Sequence, residues 1–289
     1  MSAAPDTATL AQNVLGLLEM DRIEENLYLA QCDPNRKDRV FGGQVLAQAL
    51  LAATHTVEDL NAHSMHAYFI KAGSSDLPIL YEVERIRDGR SFCTRRVVAV
   101  QDGSAIFNMD VSFQIEEPGF DHAHPMPNVP LPEELTDDYL LAGEMAKDPR
   151  VSKAAQRPRP FDMRSVFTYG SEGWAQNRYY NPCWLRFPEP ITDRLRTRAL
   201  LAYASDMALV STATLPHQED LARTELQMAS LDHALWIHRD FVLDDWILFQ
   251  KKTTVGEGAR GLVHGDFFTR DGHLIASVSQ EGLMRPVNK

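Results

Sequence analysis

Hydrophobic positions along the chain change period several times. Over 8–18 apolar residues recur at helical spacing. Over 23–31 Ile23, Leu27 and Leu29 alternate with polar neighbours, as in a half-buried strand. Phe41-Gly42-Gly43 breaks that pattern and opens a helix over 44–53, where Val45, Leu46, Ala49, Leu50 and Ala53 form one apolar stripe. The small residues of this helix allow a sheet to wrap closely around it. Four strands are expected next, at 63–70, 79–88, 91–101 and 105–115, with the hairpin signal Asp102-Gly103 between the last two. From 116 to about 160 the periodicity fails. Prolines at 118, 125, 127, 130, 132, 149, 158 and 160 mark a linker, with a short helix expected over 133–147.

The pattern then starts again: strands at 162–169 and 181–187, a helix over 199–209, and strands at 229–238, 246–255, 261–269 and 274–283. A second hairpin signal, Asp271-Gly272, lies between the last two. The segment His66-Ala67-Tyr68-Phe69-Ile70 matches His233-Ala234-Leu235-Trp236-Ile237 at an offset of 167. The hairpin signals match at an offset of 169, and Gln114 matches Gln280 at 166. Three similar offsets along one order of elements predict an internal duplication. The fold class is therefore α+β, with one repeat over 1–115, a Pro-rich linker over 116–160 and a second repeat over 161–289. One helix against one antiparallel sheet is too few layers for an independent core. The two units are expected to pack edge to edge as one continuous sheet.

Candidate chemistry sits in the second repeat. In Ala199-Leu200-Leu201-Ala202-Tyr203-Ala204-Ser205-Asp206-Met207-Ala208-Leu209 apolar residues crowd around Asp206, so a carboxylate stands where a core residue is expected. Burying it without partners costs several kcal/mol or raises its pKa. Asp206 therefore either has donors waiting for it or works on a proton. The following strand carries the hydroxyl of Ser230, and the last strand turns Gln280 inward. An acid, a hydroxyl and an amide together hold one water molecule and remove its proton. Asp232-His233 suggests a Ser-His-Asp triad with Ser230, but adjacent strand residues point to opposite faces, so Asp232 cannot orient His233. His63 stands where Ser230 stands in the other repeat and lines a vestigial or substrate-facing pocket. Gly42-Gly43 either supplies helix N-terminal N–H groups that polarise a substrate carbonyl or is simply a turn that needs glycine.

Composition narrows the classes. Lys and Arg number 29 against 40 Asp and Glu, a net charge of −11, which argues against non-specific nucleic-acid binding. An anionic ligand then needs a local basic patch, for which Arg85–Arg96, Arg157–Arg164 and Arg194–Arg198 are the candidates. Three widely spaced cysteines, Cys32, Cys93 and Cys183, fit a reducing cytoplasm. No His, Cys and Asp cluster has ligand spacing, so neither a metal nor another cofactor is expected. No apolar run approaches the roughly 18 residues of a membrane span. The first residues lack the pattern of a signal peptide, and Val287-Asn288-Lys289 is not a peroxisomal tripeptide.

Several stretches resemble the acyl-CoA thioesterase II family. They are Arg39-Val40-Phe41-Gly42-Gly43-Gln44, His63-Ser64-Met65-His66-Ala67-Tyr68-Phe69, Arg87-Asp88-Gly89-Arg90-Ser91-Phe92, Leu231-Asp232-His233-Ala234-Leu235-Trp236 and Ser279-Gln280-Glu281-Gly282-Leu283-Met284-Arg285. The resemblance implies a double hotdog fold: two tandem repeats, each a long helix wrapped by an antiparallel sheet. It implies hydrolysis of acyl-CoA to a free fatty acid and CoA, with the family's catalytic Asp, Thr or Ser, and Gln falling on Asp206, Ser230 and Gln280. Ser230 stands where many members have Thr; the hydroxyl is kept and a methyl is lost. The linker matches poorly, and nothing is carried over there. Two other functions are weighed on the same fold, a non-catalytic acyl-CoA sensor and an enoyl-CoA hydratase or dehydratase, though no hydratase-type signature is present. A homodimer or higher homo-oligomer is expected, because a fused sheet still leaves edges that associate.

Overall fold

In the computed structural model, residues 6–37, 39–144, 157–168, 171–221 and 224–287 are described. Thirteen strands form one sheet: β1 Asp21–Glu24, β2 Leu27–Ala30, β3 Asn61–Phe69, β4 Ile79–Asp88, β5 Phe92–Gln101, β6 Ser104–Gln114, β7 Asp162–Ser165, β8 Cys183–Arg186, β9 Glu225–Ser230, β10 Asp232–Ile237, β11 Ile247–Glu257, β12 Arg260–Thr269 and β13 Leu274–Val287. Their order is β1-β2-β4-β5-β6-β3-β10-β13-β12-β11-β8-β7, with β9 pairing β13, and every pairing is antiparallel. The helices are α1 Thr7–Leu17, α2 Gly42–Thr54, α3 Asp138–Glu144, α4 Glu172–Gln176, α5 Arg194–Ser205 and α6 Gln218–Leu221.

The two halves meet where β3 pairs with β10, Ala67 opposite His233 and Met65 opposite Leu235. These four side chains point inward toward α2 and α5. Both helices are buried almost all round: every residue of α2 from Gly43 to Ala53, and of α5 from Ala199 to Ser205. An all-round apolar helix is stable only inside a core, and the curved sheet supplies one. Gly43 lets the helices approach closely, since a Cβ there would collide with the Tyr203 carbonyl of α5. The N-terminus of α2 thus lies against the C-terminus of α5.

The expected elements are present with specific differences. The strand over 23–31 is a hairpin, β1 and β2, whose first strand is exposed throughout. The strand over 229–238 is broken at Leu231 into β9 and β10. The helix over 133–147 is a single turn, Pro132–Glu134, followed by α3, and 145–147 lie outside the described residues, as does 169 of the expected strand over 162–169. The helix over 199–209 begins earlier and ends at Ser205, because Ala208 adopts a positive φ of 55° that an α-helix cannot continue through. The linker is a packed strap over its described part. Met126, Val129 and Leu135 pack against Trp184, Trp246, Leu248 and Phe268 on the outer face of the second half, and Trp184 Nε1 donates to Pro130 O at 2.9 Å.

The repeat is real, but the motif match that suggested it is slipped by one residue. Ala62 pairs with Phe113 before a bulge at His63, and Ser230 pairs with Gly282 before the break at Leu231. Ala62 is therefore the counterpart of Ser230, and His63 that of Leu231. His66 faces out while His233 faces in, and Gln114 faces out while Gln280 faces in. A shift by an odd number of residues reverses the face of every strand side chain; it is one for His66 against His233 and three for Gln114 against Gln280, so neither pair is equivalent.

Candidate active site

Asp206 is the C-cap of α5 rather than a mid-helix residue, with φ −88° and ψ −10°. Its carboxylate leaves the negative end of α5 and enters the positive end of α2, so the second helix partly offsets the cost of the first. Gly43 N–H donates to Oδ2 at 2.9 Å. Gln280 Nε2 donates to Oδ1 at 2.8 Å, and Ser230 Oγ donates to the same oxygen at 3.3 Å. A carboxylate has about four acceptor sites. Three are taken, which leaves one for a proton to be removed.

Burial is the largest influence on Asp206 and raises its pKa from 3.8 to about 6. The hydrogen bonds from Gln280, Gly43 and Ser230 and the positive charge of Arg36 act against it. The result is a carboxylate that is ionised at neutral pH yet basic enough to take a proton, which is what a general base requires. Gln280 Oε1 is buried with no hydrogen-bond partner among the described residues. It offers an acceptor beside the carboxylate that the amide's own Nε2 fixes in place.

The structure brings Asp206, Ser230, Gln280 and Gly43 together. Gly42 adjoins them, since a Cβ on it would lie 2.7 Å from Asp206 Oδ2. Of the two readings of Gly42-Gly43, polarising a substrate carbonyl is not open to the Gly43 N–H, which is already given to Asp206. His63 is not part of the group. It faces outward, its Nε2 is 2.8 Å from Ser112 Oγ and its ring lies edge-on to Phe92. It is six residues along β3 from Phe69, which borders Gly42, so about 20 Å separates it from the site.

The triad alternative has no geometry. His233 is buried, and its Nε2–H donates to Ser205 Oγ at 2.8 Å, because that hydroxyl donates in turn to Ala202 O. Burial pushes its pKa down to about 3, so the ring is neutral. Asp232 faces the other way and accepts from Glu281 N at 2.7 Å. The Ser230 hydroxyl is committed to Asp206.

The first half has no second copy of the site. Val111 and Ala62 stand where Gln280 and Ser230 stand in the second half. Just past the end of α2 lies Arg95 instead, a buried cation that donates to Thr56 O and Oγ1 and pairs with Asp88 at 2.5 Å.

One residue, Arg36, was missed in the sequence, and one, Gly43, was singled out for a different role. The role of Gly43 needed the contact between halves to be seen, and Arg36 lies in a cationic run before Gly42 that was not among the basic patches considered. Arg36 stacks over Phe41, with Cζ 4.6 Å from the ring centroid, and Phe41 meets Tyr203 edge-on at 4.9 Å.

Comparison with known proteins identifies the family. The family described as acyl-CoA thioesterase matches residues 158–283, and its N-terminal domain matches residues 33–114. Acyl-CoA thioesterase 2 of Haemophilus influenzae is 36% identical, over 96% of this chain and 98% of its own length. Acyl-coenzyme A thioesterase 8 of Mus musculus is 38% identical, over 94% of this chain and 88% of its own. The crystal structure of the acyl-CoA thioesterase II TesB2 from Mycobacterium marinum superposes with a TM-score of 0.76 at 33% identity, covering 95% of this chain and 98% of that one. The chain belongs to the acyl-CoA thioesterase II family and has its double hotdog fold.

Proposed function

We propose that Asp206 is the general base with which this acyl-CoA thioesterase splits acyl-CoA and water into a free fatty acid and CoA. Ser230 and Gln280 position the water and complete the hydrogen bonding of the carboxylate. Asp206 takes a proton from the water as the oxygen bonds to the thioester carbonyl carbon. The tetrahedral intermediate then collapses with loss of the carbon–sulfur bond, and the proton on Asp206 passes to the departing thiolate. No covalent acyl-enzyme forms. The observation that carries this reading is one buried carboxylate, with a pKa near 6, receiving three converging donors from α2, β9 and β13. Gly42, at the positive end of α2, borders the path of the thioester carbonyl.

The test is a thiol-release assay over an acyl-CoA chain-length series, paired with mass spectrometry of acid-quenched single turnovers. Thiol release without any acyl adduct on the protein is expected. An adduct at Ser230 would overturn the water mechanism. An acyl-CoA sensor would bind without releasing thiol, and a hydratase would act on enoyl-CoA instead.

The division into 1–115, 116–160 and 161–289 goes with this reading. The first part supplies Gly43, and the last supplies the three side chains. A cytoplasmic location is supported by three buried free thiols. A homodimer or higher homo-oligomer is supported by Tyr68 and Ile70, which are exposed at the outer face of the central strands. Light scattering at micromolar protein should give at least twice the mass of the chain; a monomer would reject the association.

A further inference from the structure

The acyl-CoA substrate of the proposed function carries phosphates, and this chain has a net charge of −11. A polyanion approaching such a protein needs a local positive field. The basic patches expected from the sequence do not offer one readily. Arg85, Arg95 and Arg96 pair with Glu25, Asp88 and Asp110, and Arg87 and Arg90, which form no ion pair among the described residues, flank Phe92, whose ring meets His63 at the end of β3 away from the site. Arg194 and Arg198 pair with Asp240, and Arg196 pairs with Glu19. Arg164 lies over the Trp246 ring and donates to Pro132 O.

The run Arg36-Lys37-Asp38-Arg39 differs. Among the described residues, no carboxylate forms an ion pair with Arg36, Lys37 or Arg39. Asp38 lies outside the described residues, and Asp33 Oδ1 is engaged by Asn35 N and Nδ2. The loop is held at both ends beside the site. Gln44, in the first turn of α2, accepts from Asp33 N at 3.3 Å and donates to Gln31 O at 3.2 Å. At the other end Arg39 Nη2 donates to Met228 O at 3.1 Å, two residues along β9 from Ser230. Arg36 is laid on Phe41, which precedes the glycine whose N–H holds Asp206. Lys37 and Arg39 remain exposed.

We propose that this loop binds the nucleotide phosphates of CoA, with Lys37 and Arg39 as the cations that take them. In CoA a pantetheine arm separates the thioester from the phosphates, so a phosphate site belongs at the rim of the catalytic group rather than on it. The loop stands in that relation to Asp206 and Ser230. Arg36, packed on Phe41 and nearer the carboxylate, sets the position of the loop.

The test compares decanoyl-CoA with decanoyl-pantetheine, which has the same thioester and no nucleotide, for the wild type and for Lys37→Gln/Arg39→Gln. The wild type should prefer decanoyl-CoA in kcat/KM, and about 0.5 M salt should shrink that preference. The double variant should lower the ratio about fivefold to tenfold, through KM for decanoyl-CoA, as expected for two exposed cation–phosphate contacts. Inhibition by adenosine 3′,5′-bisphosphate should weaken by the same factor. A wild type with no preference, or a variant whose ratio stays within about twofold, would overturn the proposal. Failure of the general-base reading would look different. Asp206→Asn would then keep near-normal turnover on both substrates, whereas a working base loses turnover on both alike and leaves their ratio in place.

Discussion

Gly43 N–H donates to Asp206 Oδ2 at 2.9 Å, across a sequence separation of 163 residues. The carboxylate proposed as the base lies in the second half and is held by the helix of the first, so neither half contains the whole group. The duplication has not produced two active sites; one half supplies the acid and the other the end of a helix to hold it.

Close packing at this junction is open to a simple test. A Cβ on Gly42 would lie 2.7 Å from Asp206 Oδ2 and 3.0 Å from the Phe69 ring. Gly42→Ala should displace the carboxylate and lower kcat by about 10²-fold, the effect of a displacement near 1 Å. It should also cost about 1–3 kcal/mol of stability by overpacking. Gly16→Ala on α1 is the control, since nothing lies within 4 Å of a Cβ there. It should leave turnover alone and gain about 0.5–1 kcal/mol in thermal or denaturant unfolding.

The pKa of Asp206 makes two separate pH statements. In the proposed mechanism Asp206 must be ionised, so kcat/KM should fall tenfold per pH unit below about 6. Stability has the opposite sign. The folded pKa, about 6, lies above the unfolded value of 3.8, so the folded state binds the extra proton and this residue's contribution is lost as pH rises through that window. Asp206→Asn carries no such penalty. Its stability relative to the wild type should therefore improve between pH 4 and pH 7, by up to about 3 kcal/mol. A constant difference in denaturant midpoints over that range would mean that the carboxylate is not desolvated.

His233 should prove structural. Its ring fills the core and its Nε2–H is given to Ser205 Oγ. His233→Ala should cost about 2–4 kcal/mol through the cavity it leaves. The folded fraction should keep most of its turnover at reduced temperature. Activity per folded molecule, normalised by near-ultraviolet circular dichroism, separates this outcome from a catalytic role.

In the proposed mechanism Ser230 and Gln280 act on the same water as Asp206. Ser230→Ala and Gln280→Ala should each lower kcat severely, and each should add little to Asp206→Asn. Double-mutant cycles on thiol release measure this directly. Full additivity would mean that the three groups work on separate steps.

Much of this was legible in the sequence, and the errors have physical causes. The apolar stripe of α2 and the strands β3 to β6 were plain, because those segments are long and alternate over most of their length. Asp206 and Gln280 stood out as polar residues at inward positions. The end of α5 was misplaced because apolar residues continue through Met207 and Leu209, while the chain stops the helix with a positive φ at Ala208, which no side chain announces. His63 was assigned the place of Ala62 because a bulge adds one residue to β3, and a one-residue slip exchanges the faces of a strand. The bond between Gly43 and Asp206 could not be read locally. It depends on how α2 and α5 lie against each other inside the shared sheet.

The most direct test of the account is the turnover of Asp206→Asn on an acyl-CoA substrate at pH 7, with binding measured in the same preparation. Asparagine keeps the shape of the side chain and an acceptor oxygen but has little basicity. Expected is a fall in kcat of about 10²–10⁴-fold, the usual contribution of a general base, with acyl-CoA affinity little changed. Near-normal turnover of Asp206→Asn, together with a folded but inactive His233→Ala, would contradict the mechanism.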